Sequence, residues 1–123
     1  MAFADVLGRA VGSTREVRPR GSMSLTNVAY VPALTWANPT LDRLEDQALV
    51  PMFGQNPVEL GLAGLENELI ARLGAVGRYP ELFRAAFPEA SEPLTIANIA
   101  RALAAFQRTL VSFDAPYDRA LRG

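Results

Sequence analysis

The sequence predicts a small all-α domain with a long loop-rich N-terminal part. Three observations carry that reading. Ile96, Ile99, Leu103, Phe106 and Leu110 recur at spacings of three and four, the period of one helix face. Leu65, Leu69, Leu73 and Val76 repeat in the same way. No stretch gives a convincing sheet, since apolar and polar residues alternate only briefly.

The elements follow in order. Residues 1–22 mix Gly, Ser, Thr, Arg and Pro without a period and read as loop or extended chain. Ser22 to Leu34, "SMSLTNVAYVPAL", fits either a strand or a short helix followed by a turn at Pro32. From Thr40, a candidate cap, Leu41, Leu44, Ala48 and Leu49 fall at helical spacing until Pro51 stops the pattern. Asp42, Glu45 and Asp46 occupy the early turns, where the helix dipole favours negative charge. "MFGQNPVELGLAG" is a loop punctuated by Gly54, Pro57, Gly61 and Gly64. Further helices are expected over Leu65–Val76, Pro80–Phe87 and Thr95–Val111, with Gly77 and Pro88 closing the first two. Pro116 begins a last turn through Leu121. The whole divides into a loop-rich part, 1–34, and a helical part, 40–121, of one domain.

Composition narrows the chemistry. With 123 residues, half of them apolar, the chain can fill one modest core. A net charge of −1 gives no bulk attraction to nucleic acid or anionic membrane. All twelve basic residues are Arg, and Arg9, Arg15, Arg18 and Arg20 make a mildly basic, solvated N-terminal arm. Without Cys the chain has no disulfide and no thiolate; without His it lacks the commonest metal ligand and the Ser-His route to hydrolysis. No apolar run approaches the ~20 residues of a membrane span. "MAFADVLGRAVGSTREVRPRG" is broken by Asp5 and Arg9 and does not read as a signal peptide, so the chain as written is expected to start in the cytoplasm.

Within "TWANPTLDRLEDQALVPMFGQNPVELG", four residues are candidates for chemistry: Trp36, Gln47, Pro51 and Glu59. Each has an ordinary reading. The single Trp anchors a core, with an indole N–H that wants a partner when buried. Gln47 edges an apolar stripe, where polar side chains are usually solvated. Glu59 is a cap or surface acid. "STRE", Ser13 to Glu16, has the form of a capping box, but no apolar run follows it. Periodicity and composition name no reaction.

The ordered set of motifs resembles the bacterial di-haem cytochrome c peroxidases, including the MauG-like enzymes that oxidise protein side chains, over almost the full chain. "RGSMSLTN" is similar to that family's R-N-T-P-T-x-x-N pattern. "TWANPTLDRLEDQALVPMFGQNPVELG" is similar to W-D-G-R-x-x-S-L-x-x-Q-x-x-x-P followed by N-P-x-E-M-G. "IARALAAFQRTLVSFDAPYDRALRG" is similar to I-x-x-A-L-A-x-F-E-R-T-L ending in S-P-F-D-R. The nearest subgroup is that of the methanobactin-associated di-haem enzymes. The resemblance implies a cytochrome c-like helical segment and two c-type haems in the complete protein. It implies that Trp36 relays electrons between them, that Gln47 and Glu59 lie over the peroxide-binding haem face, and that Pro51 lines the same pocket. The chemistry suits these types: a confined carboxylate can move a proton between peroxide oxygens, and an amide can hold peroxide without changing charge.

The departures set further expectations. Each family haem is attached through C-x-x-C-H, which is absent here. The chain therefore reads as the segment between two haem sites, a truncated product or fragmentary gene model, inactive on its own. The family's calcium-binding Asn falls on Gly21, which has no side-chain oxygen, so calcium is an open question. Arg18 stands where relatives often have His, Phe113 where they have Gly, and "WANP" where they have W-D-G-R. The gap from Gln47 to Glu59 is longer than in MauG-like enzymes, near Phe53 and Gly54. The complete protein is expected to be a periplasmic peroxidase using hydrogen peroxide and a protein partner, such as a small cytochrome or cupredoxin. The rival expectation is a haem-free helical binding or scaffold module with no catalysis.

Overall fold

The computed structural model describes residues 8–35 and 38–122. Among them the elements are a 3₁₀ turn, η1 (Val28–Tyr30), and the helices α1 (Leu44–Phe53), α2 (Glu66–Ala75), α3 (Arg78–Ala86), α4 (Ile96–Thr109) and α5 (Pro116–Arg122). The fold is all-α. The described residues hold two isolated bridges, Val11 with Val17 and Gln55 with Val58, and no sheet.

The N-terminal arm doubles back on itself. The Ala10 amide donates to the Arg20 carbonyl at 3.1 Å, and the Arg18 amide to the Ala10 carbonyl at 2.7 Å. Gly12 donates to the Glu16 carbonyl at 3.0 Å, so "STRE" forms a turn rather than a helix start. Of the two readings of Ser22 to Leu34, the short helix is the one that forms, as η1. Asn27, in the left-handed region at φ 58°, precedes it. Its side-chain amide donates to the Ser112 carbonyl at 2.8 Å and its side-chain oxygen accepts from the Ser112 amide at 2.7 Å.

The first helix departs from its sequence reading at both ends. Thr40 does not cap it: α1 begins at Leu44 with Arg43 at the cap position, while the Thr40 amide and hydroxyl donate to the Asn38 side-chain oxygen, at 3.0 and 2.6 Å. This local turn competes with capping. At the other end the helix runs through Pro51 to Phe53. Proline removes the amide that would bond the carbonyl four residues back, here Gln47. Near the end of a helix that loss is tolerated, and the Gly54 amide closes the last turn on the Val50 carbonyl at 2.8 Å.

The helix α4 is capped by Thr95, whose hydroxyl oxygen accepts from the Asn98 amide at 3.2 Å. It packs chiefly on α1. The packed face corrects the apolar stripe read from sequence. Ala100 and Ala104 are buried, and Ala104 is 0% exposed, whereas Leu103 and Phe106 are 41% and 58% exposed. Small side chains let the two helices approach closely, which turns the larger residues outward. Leu44, Val28, Leu34 and Ala104 make one buried cluster. Met52, Phe83 and Ile99 make the second, with Leu69, Leu73 and Phe87 packed on it.

Candidate functional site

The site is built where α1 ends and the chain turns back. Gln47 and Pro51 are four residues apart on α1 and therefore share a face. Beyond Phe53 the chain makes a tight turn, closed by the Gln55–Val58 bridge. It then returns alongside the helix end. The Leu60 amide donates to the Pro51 carbonyl at 2.9 Å and the Leu62 amide to the Met52 carbonyl at 3.0 Å. Gly61, at φ +70°, makes a turn that a side chain would strain. Glu59 is thus held one residue from the backbone bond to Pro51. Its own carbonyl accepts from the Ser13 amide at 2.7 Å, which pins the N-terminal arm to the same corner. Gln47, Pro51 and Glu59 are all half-buried. Trp36 lies outside the described residues.

An ion pair ties α1 to α4 near the site. Two residues before Gln47, Glu45 accepts from both Arg108 terminal nitrogens across the helix pair. Those hydrogen bonds, more than the charge of Arg108 or Arg43, hold the Glu45 carboxyl below its ordinary range.

Sequence reasoning missed the environment of Arg18. Composition suggests a solvated arm, yet Arg18 is buried at 6% exposure. Its burial follows from the doubling-back of the arm, for which "VRPRG" carries no period. A cavity of about 400 Å³ lies elsewhere, between the end of α3 and the start of α4, lined by Phe87, Glu89, Asn98 and Arg101 among others. Gln47, Pro51 and Glu59 do not line it. Among the described residues, no group of three or more His, Cys, Asp or Glu could hold a metal ion, so calcium gains no support here. No helix among the described residues is long and apolar enough to cross a membrane.

Comparisons with known proteins converge. A family model described as di-haem cytochrome c peroxidase matches residues 1–123. Methylamine utilization protein MauG of Methylorubrum extorquens is 37% identical over 119 residues, covering 97% of this chain and 32% of that protein. Cytochrome c551 peroxidase of Pseudomonas aeruginosa is 35% identical over 121 residues, covering 98% of this chain and 33% of that one. A crystal structure of a MauG-like protein associated with microbial copper homeostasis superposes with a TM-score of 0.93 at 43% identity, over 99% of this chain and 35% of its own. The chain spans about a third of the length of the relatives it matches.

Proposed function

The chain belongs to the di-haem cytochrome c peroxidase family, and from that membership we propose that it forms the wall over the peroxide-binding face of one haem and the electron path between two. The observation that carries this reading is the return of the chain after α1. It holds Glu59 beside Pro51, one helical turn from Gln47, through the Leu60 to Pro51 backbone bond of 2.9 Å. The family's cofactor is haem c. With no Cys and no His, these 123 residues supply neither its covalent attachment nor an axial imidazole. What they do supply is compatible with its open face: Gln47 and Pro51 on one face of α1 and Glu59 on the returning loop, all three half-buried.

The haem, when bound, supplies the redox chemistry and the protein supplies position and field. Glu59 takes the proton from one peroxide oxygen and returns it to the other. Gln47 orients peroxide by donating from its side-chain nitrogen and accepting at its oxygen, with no change of charge. Pro51 limits the room available to water. Trp36 relays electrons through its indole. The reductant or oxidised partner of the complete protein is a small electron-transfer or substrate protein, and the compartment is the periplasm.

In the protein carrying its haem-bearing segments, Glu59→Gln should lower peroxidase turnover by about 10²–10⁴-fold. Unchanged turnover in that variant would sink the assignment. The 123-residue chain alone should show no Soret band after purification. The haem-free scaffold reading draws on the two buried clusters that the chain makes from its own residues. It predicts that coding sequence on either side contains no in-frame C-x-x-C-H, whereas the peroxidase reading requires such motifs.

A further inference from the structure

Arg18 is a cation almost removed from water. Its side chain is 7% exposed, and its ion-pair partner among the described residues is the Glu16 carboxylate, 3.4 Å from Nη1. That contact is long, and the Glu16 side chain is itself 65% exposed. Nε and Nη2 are buried with no hydrogen-bond partner among the described residues. These two nitrogens form one edge of the planar guanidinium, the edge that matches both oxygens of a carboxylate. A buried charge with its best donor edge unused is unfavourable unless an anion meets it.

The surroundings are built for close approach. The place that a Cβ on Gly12 would take lies 2.5 Å from both Arg18 Nη2 and the Val58 carbonyl oxygen. Arm and return loop therefore meet at the guanidinium with no room for a side chain at position 12. Val58 directly precedes Glu59, and the Ser13 amide bonds the Glu59 carbonyl. The unused edge thus lies against the same loop that carries the candidate acid.

We propose that Arg18 is a receiving site for a carboxylate contributed from outside these 123 residues, bound side-on through Nε and Nη2 when the arm and the Glu59 loop part to uncover that edge. Two sources share that chemistry: a propionate of a haem, or an acidic side chain from another part of the complete protein. The site itself does not depend on the peroxidase reading, since the second source needs no haem. Glu16, held on Nη1, lies off that edge and need not move.

Sodium propionate is titrated into the ¹⁵N-labelled chain against sodium chloride of equal ionic strength, and the Arg18 Nε–Hε resonance is followed. A saturating shift specific to propionate is expected, with a propionate-dependent rise in Tm that is absent in Arg18→Gln. If Arg18→Gln does not fold, the resonance of the unsubstituted chain still decides. Iron protoporphyrin and its dimethyl ester then separate the sources. Movement by the free acid at far lower concentration than propionate, and not by the ester, assigns a haem propionate. Movement by propionate with no preference for the free acid over its ester assigns an acidic side chain. An Arg18 resonance unmoved by propionate and by both porphyrins overturns the site.

Discussion

Arg108 on α4 holds both carboxylate oxygens of Glu45 on α1, at 2.9 and 3.2 Å. The pair joins the two helices that pack most extensively and lies two residues from Gln47.

That bridge gives stability a defined pH dependence. The Glu45 carboxyl is held below its ordinary value of 4.5, chiefly by the Arg108 hydrogen bonds. A group whose pKa is depressed on folding contributes stability above its unfolded value and loses it as pH falls through the folded value. Glu45→Gln should therefore lower Tm at neutral pH, and the difference from the unsubstituted chain should shrink as pH is taken below 4.5. Melts across that range check it. A gap independent of pH would show that the ion pair contributes nothing.

Pro51 should be a local weakness kept for the site. Pro51→Ala restores an amide four residues after Gln47 and is expected to stabilise the haem-free chain, by less than the ~3 kcal/mol that a mid-helix proline costs. The same change should impair peroxide turnover in the haem-bearing protein. Denaturant melts and steady-state kinetics test the two halves separately.

Ala104 leaves no space for a larger residue. It is fully buried in the cluster with Leu44, Val28 and Leu34. Ala104→Leu should cost about 1–3 kcal/mol by forcing α1 and α4 apart, read as a lower denaturant midpoint.

Phe83 carries the second cluster, packed with Met52 and Ile99 and 5.9 Å from the Phe87 ring. Phe83→Ala should cost about 3–5 kcal/mol. Against a typical domain margin of about 5–15 kcal/mol, that is a large share of the stability, read as a lower denaturant midpoint.

The helices were legible because their apolar spacing is local. The span of α4 from about Thr95 and the Leu69–Leu73 face of α2 follow directly from sequence. The exact start of α1 was not, because Asn38 takes the Thr40 hydroxyl, a preference that no apolar period reveals. The outward turn of Leu103 and Phe106 was hidden for a different reason: a 3-4 repeat marks an apolar face, but which side of it meets α1 depends on how closely Ala100 and Ala104 let the partner approach. At the candidate site, the shared face of Gln47 and Pro51 is written in their spacing. The placement of Glu59 depends on backbone bonds from the return loop, and the burial of Arg18 on a hairpin-like arm, neither of which has a periodic signature.

The two bonds between Asn27 and Ser112 act as a clasp across 85 positions of sequence. Anything that loosens the segment before η1 must also free the residues beyond α4, so both ends of that span should breathe together. Their amides should exchange with deuterium at matched rates, and Asn27→Ala should speed both equally.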